Sequence, residues 1–135
     1  MKFKSEQVEQ LTVFVENRPG ILADLCIHLS DHRINIRAMA VLDNTEAGTV
    51  RLVVEDPPSA KKTLAEAGVA YTITNCLALE MPNVPGGFAT IARTLSLAGI
   101  NISYIYASAL PGTDQALAVF GVSDLARALA LDWES

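Results

Sequence analysis

Positive charge is scarce in this sequence and unevenly placed. Of ten Lys and Arg in 135 residues, eight fall in residues 1–68 and only two, Arg93 and Arg127, in residues 69–135. With a net charge of −5 and no basic stripe, the chain is poorly suited to nucleic acid or an anionic membrane. Cysteine is scarcer still. Cys26 and Cys76 lack CxxC spacing, which excludes a disulfide framework and a metal knuckle. Cys26 falls on the apolar stripe of a candidate helix and reads as a small core residue, while Cys76 lies in a strand pattern with nothing to mark it as reactive. No apolar stretch approaches a membrane span, and residues 1–7 hold no apolar signal core, so a reducing cytoplasm is the expected compartment. Disorder is excluded as well, because half the residues are hydrophobic and under a fifth are charged.

What the chain does have, it has twice. Asn17-Arg18-Pro19-Gly20-Ile21-Leu22-Ala23 returns as Asn83-Val84-Pro85-Gly86-Gly87-Phe88-Ala89, and Ile34-Asn35-Ile36 returns as Ile100-Asn101-Ile102. Both pairs are displaced by 66 residues, and the apolar set Leu22, Leu25, Cys26 and Leu29 keeps step with Phe88, Ile91, Ala92 and Leu95. A repeat of this length means two copies of one module. We place them at residues 1–74 and 75–135. Modules of about 65 residues bury little surface alone, so they should share a sheet or core within the chain or with a second chain. The charge-poor second half points the same way, to a surface covered by a symmetric copy, and a homodimer is expected.

Within the first copy, Val8 to Val15 alternates as a half-buried strand. Pro19-Gly20 then opens a helix, with Pro19 suited to the first helical position, and the helix runs to about Asp31. The second copy ends this helix at Gly99, where the first has Arg33. A shared backbone would put Arg33 at positive φ, at a cost on the order of 1 kcal/mol. Strands follow at Ile34–Leu42 and Thr49–Glu55, joined by a polar hairpin at Asp43–Gly48, and Asp56-Pro57 caps a helix that Gly68 stops. Residues 69–81 alternate without a break, which reads as two strands in succession with a bend near Thr74-Asn75. The second copy repeats the order with a helix at 87–98, strands at 100–108 and 115–121, and a helix from Ser123. Little chain remains for its last strand. The predicted fold class is α+β: two tandem ferredoxin-like βαββαβ modules, antiparallel sheets with helices on one face, the second module with a short or missing last strand.

A strand end, a tight turn and a helix start coincide at Asn17–Leu22. The N–H groups of Gly20, Ile21 and Leu22 face outward there, and the helix dipole favours negative charge, so a carboxylate can be held without a basic side chain. Asn17 offers donor and acceptor, and Asn35, opening the next strand, can face it across the turn. Together these suit a small zwitterion. The plainer alternative is that both asparagines only shape turns.

These residues carry a resemblance. Asn17-Arg18-Pro19-Gly20-Ile21-Leu22 followed by Arg33-Ile34-Asn35-Ile36 resembles the ACT domain, a small-molecule-binding regulatory module. The whole chain, over about residues 8–129, resembles a stand-alone tandem ACT protein. The resemblance implies an amino-acid ligand between the first turn and the second strand, at a module or subunit interface. It implies site residues Asn17, Arg18, Pro19, Gly20, Ile21, Leu22, Asn35 and Ile36, with Asn83, Gly86, Gly87, Phe88 and Asn101 in the second copy. Residues 15–20 are also similar to the serine-binding regulatory domain of phosphoglycerate dehydrogenase, in which the positions of Asn17 and Asn35 contact the effector. That pattern has histidine where this chain has Val15. Gly87 in place of Ile21 implies a more open second turn. A regulated enzyme or transcription factor is the partner such a module implies; the alternative is a structural dimerisation module without a ligand.

Other constellations are weaker. His28 and His32 stand at i, i+4, a zinc-compatible spacing without a third ligand. Tyr104 and Tyr106 share a face with Ile102 and match Ala38 and Ala40, which suggests packing beneath an interface or lining a pocket, with core packing as the plainer reading. The sequence holds no nucleophile beside a base, no paired carboxylates and no glycine-rich phosphate loop. No catalysis, metal or cofactor is expected.

Overall fold

The computed structural model describes residues 1–16, 18–43 and 47–134. Its elements run β1 (Lys4–Glu16), α1 (Ile21–Asp31), β2 (Ile36–Asp43), β3 (Ala47–Val54), α2 (Pro57–Glu66), β4 (Tyr71–Pro82), α3 (Gly87–Leu97), β5 (Ile102–Ser108), β6 (Gln115–Val122) and α4 (Leu125–Ala130). This is two ferredoxin-like modules in tandem. One compact unit comprises Glu9–Thr74, here called module one; the other, module two, comprises Asn75–Ser135 together with Met1–Val8. The first eight residues thus pack with the second copy, against the expected grouping of 1–74. Residues 71–82 form one strand rather than two in succession.

In module one the strand order is β2-β3-β1-β4. β1 and β3 pair antiparallel from Leu11↔Leu52 to Glu16↔Ala47, and β2 pairs with β3 from Ile36↔Val54 to Asp43↔Gly48. Alternation places Leu11 and Val13 of β1 with Val50, Leu52 and Val54 of β3 on one face. That face meets Leu25 and Leu29 of α1 and Ala60 and Leu64 of α2 in one core. Each of these side chains is at most 6% exposed, so burial favours the fold by roughly 1.5–3 kcal/mol per large aliphatic residue.

Module two repeats the plan in the order β1-β4-β6-β5. Leu77, Leu79 and Met81 of β4 and Ala116, Ala118 and Phe120 of β6 meet Ile91 and Leu95 of α3 and Ala128 of α4. After α4, Trp133 turns back into the core, its indole N–H donating to Ala128 O at 2.8 Å. The place of a closing strand falls to residues 4–8 of β1. Phe3, 4% exposed, meets Trp133 edge to face at 6.0 Å and donates its N–H to Trp133 O at 2.8 Å.

The same irregularity marks both edge strands. Register shifts between Ile36 and Ala38 in β2, and between Ile102 and Tyr104 in β5. Ile102 opposes Val122 while Tyr104 opposes Gly121, and adjacent residues of β6 face opposite ways. Tyr104 and Tyr106 therefore do not share a face with Ile102, contrary to simple alternation. Ile102 packs on the core, whereas Tyr104 lies over Gly121 with its hydroxyl 3.4 Å from Cys76 Sγ. The two tyrosine rings stack 6.5 Å apart.

Candidate functional site

Both repeated turns have one backbone device. Gly20 (φ 85°) and Gly86 (φ 89°) are left-handed N-cap residues, and neither α1 nor α3 receives a side-chain cap. The helices begin at Ile21 and Gly87, so Pro19 sits outside the helix and not at its first position. The Ile21 N–H is taken by Arg18 O at 3.3 Å, and the Gly87 N–H by Val84 O at 3.2 Å, closing each turn. Gly20 O in turn accepts the Asp24 N–H at 2.9 Å. The N–H groups of Leu22 and Ala23 lie in the first turn, where no intrahelical acceptor exists. The other two helices are finished differently. Asp56 accepts the Ser59 N–H at 3.2 Å, and Asp124 accepts the Arg127 N–H at 3.1 Å.

Arg18 is the one basic side chain at these turns among the described residues. Its guanidinium lies 3.4 Å from Glu16 and 3.8 Å from Asp24. With half its side chain exposed, each contact is worth at most about 1 kcal/mol. Pro19 is exposed, Ile21 and Leu22 are half-buried, and Leu22 and Ile36 pack against the core of module one. Asn17 lies outside the described residues. So do Asn44–Glu46 of the expected hairpin.

Asn35 does not face the turn of its own module. Ile36 pairs with Val54 at one end of the sheet, while Glu16 pairs with Ala47 at the other, with α1 running about 16 Å between them. The Asn35 side-chain amide donates to Glu55 Oε1 at 3.0 Å, and the Asn35 backbone carbonyl accepts the Glu55 N–H at 3.0 Å. Asn101 repeats the backbone half of this, its carbonyl accepting the Ser123 N–H at 2.9 Å, and its own N–H donates to Ser123 Oγ at 2.9 Å. In the second copy the turn asparagine is structurally engaged. The Asn83 amide donates to Leu110 O and Thr113 O, both at 3.0 Å, and ties the β5–β6 hairpin to the turn.

Gly87 does not open the second turn. A Cβ there would stand 2.8 Å from Met81 Cε and 3.1 Å from Pro82 O. Gly87 is buried and Phe88 is 46% exposed. The matching pair in module one, Val15 and Ile21, borders a cavity of about 260 Å³, together with Asp24, Leu25, His28, Ala67 and Val69. Sequence reasoning missed this cavity; the 66-residue alignment held the signal, since Val15 aligns with Met81 just as Ile21 aligns with Gly87. His28 and His32 stack edge to face at 4.9 Å, and no group able to hold a metal occurs among the described residues.

A family model for the ACT domain pair matches residues 6–131. The chain belongs to that family. The crystal structure of protein BT0572 from Bacteroides thetaiotaomicron is 31% identical to this ACT pair, with a TM-score of 0.85 over 93% of this chain and 85% of that one. The fold is shared at lower identity with the regulatory subunit of aspartate kinase from Thermus thermophilus in its ligand-free form. That likeness is 12% identical with a TM-score of 0.65, covering 89% of this chain and 87% of that one. A structure of aspartokinase alpha and beta subunits gives 20% and 0.61, covering 89% and 86%. No curated protein matches the sequence. No helix among the described residues of this ACT pair is long and apolar enough to cross a membrane.

Proposed function

We propose that this ACT pair is a non-catalytic, cytoplasmic regulatory protein that binds a free amino acid at the β1–α1 turn of module one. The observation that carries the reading is the contrast among helix starts. Aspartates cap α2 and α4 from within, whereas α1 and α3, at the repeated turn, present first-turn N–H groups without a side-chain cap. Such a start favours an anion, and a ligand carboxylate is an anion of suitable size. By its place in the sequence, Asn17 is the side chain we assign to further polar contact with the ligand. Because Asn35 and Ile36 lie at the opposite end of their own sheet, they reach such a ligand only from another module or a second copy. A homodimer completes the site in this reading. The likeness to the Thermus protein, a regulatory subunit of aspartate kinase, supports a regulatory role, with an enzyme or a transcription factor as the regulated partner.

A structural module without ligand is the second reading, favoured by Asn83, whose amide is spent on the hairpin. Thermal denaturation against the twenty amino acids separates the two. A ligand at about 100 times its dissociation constant adds roughly 2.7 kcal/mol. A raised melting temperature with one amino acid or a small chemical class supports the sensor. No shift with any of the twenty supports the structural module.

A further inference from the structure

The cavity of module one has a chemistry that the turn alone does not. Its walls are Val15 at the end of β1, Ile21 and Leu25 on α1, and Ala67 and Val69 between α2 and β4. Two polar residues border it. Asp24 is exposed and engaged by Arg18 at 3.8 Å, while His28 Nε2 is buried and has no hydrogen-bond partner among the described residues. Apart from these two the walls are apolar, so a polar group entering this space would shed its water for few partners, whereas an apolar group loses nothing. Ile21 belongs both to the cavity wall and to the first turn of α1, so one small molecule can span the two.

We propose that this cavity is the specificity pocket of the ligand site and receives an aliphatic or aromatic amino-acid side chain. The inference rests on the amino-acid-binding reading above and names the ligand class. Size agrees: an apolar cavity of about 150 Å³ accepts benzene, so 260 Å³ has room for an isobutyl or benzyl group. The repeat supplies the internal control. In module two the strand position of Val15 is Met81, 2% exposed, whose Cε methyl reaches over Gly87 and occupies the space an Ile21-like side chain would need. One turn opens onto a pocket, and the other has its pocket position filled.

The test is calorimetric titration of the full chain with leucine, isoleucine, valine and phenylalanine against serine, aspartate and lysine. It is repeated on Val15→Met, which copies the module-two residue, and on Ala67→Leu, which narrows the pocket from the opposite wall. We expect one of the apolar amino acids to bind at least tenfold more tightly than any polar one. Either variant, with an unchanged or raised melting temperature, should weaken that binding at least tenfold. Should Val15→Met fail to fold, Ala67→Leu carries the test. A polar amino acid binding best, or unchanged affinity in the folded variants, overturns the pocket while leaving an amino-acid sensor standing. No binding of any amino acid to the unaltered chain removes both.

Discussion

The two modules have the same backbone plan but distribute side-chain volume differently. At the turn, Val15 and Ile21 in module one become Met81 and Gly87 in module two. At the edge strand, Ala38 opposite Val53 becomes Tyr104 opposite Gly121. Each exchange enlarges one neighbour and empties the other. A Cβ on Gly87 would press on Met81, and one on Gly121 would strike the Tyr104 ring. These glycines are therefore dictated by neighbouring side chains, not by backbone freedom. Gly86, at φ 89°, is the one the turn itself requires. Close packing makes such exchanges cooperative, because either half alone leaves a void or a clash. The consequence is a structural asymmetry: the same helix start adjoins a cavity in one copy and a filled space in the other.

The comparison breaks most severely at Phe3. Phe3→Ala should cost module two about 3–5 kcal/mol, the usual range for a buried aromatic, while module one keeps its core. Hydrogen exchange resolved by segment reads this as lost protection in residues 75–134, with residues 9–74 retained. Gly87→Ile, which imposes the module-one residue on a space filled by Met81, should destabilise by about 1–3 kcal/mol in urea denaturation. Pairing it with Met81→Val should recover part of that loss, as coupled neighbours do. Asn17→Ala should weaken the best amino acid by about 1–3 kcal/mol in calorimetric titration with little change in stability, if its amide meets the ligand. Asn83→Ala should instead cost stability, about 1–2 kcal/mol in denaturation, because two hairpin carbonyls lose their donor. Smallest is Arg33→Gly. Arg33 holds φ 58° where module two has Gly99 at φ 72°, so the substitution should stabilise by about 0.5–1 kcal/mol in the same assay.

Much of the fold was legible because the sequence repeats. Aligning Arg33 with Gly99 predicted its positive φ, and the i, i+3, i+7 spacing of Leu22, Leu25 and Leu29 placed the core face of α1. What escaped the reading was whatever depends on a partner distant in sequence. Phe3 stands alone among polar residues, and nothing local says that it enters the core of module two rather than module one. The register shift before Tyr104 turns both tyrosines to the other face, yet one extra residue leaves no mark in a strand of mixed polarity. Asn35 seemed to adjoin the turn only because sequence distance ignores the length of the intervening helix. Gly87 suggested an open turn until Met81 was seen to fill it. The candidate site was thus half visible: the turn residues could be named, but not the cavity behind Ile21, whose walls come from three separate segments.

We propose that ligand binding belongs to module one, because Met81 fills the corresponding space in module two. The number of amino-acid molecules bound per chain tests it most directly. Calorimetric titration with the tightest-binding amino acid should give one per chain, falling to none measurable over the same range in Val15→Met and persisting in Asn83→Ala. Two equivalent molecules per chain, or one that survives Val15→Met and is lost in Asn83→Ala, would contradict the account.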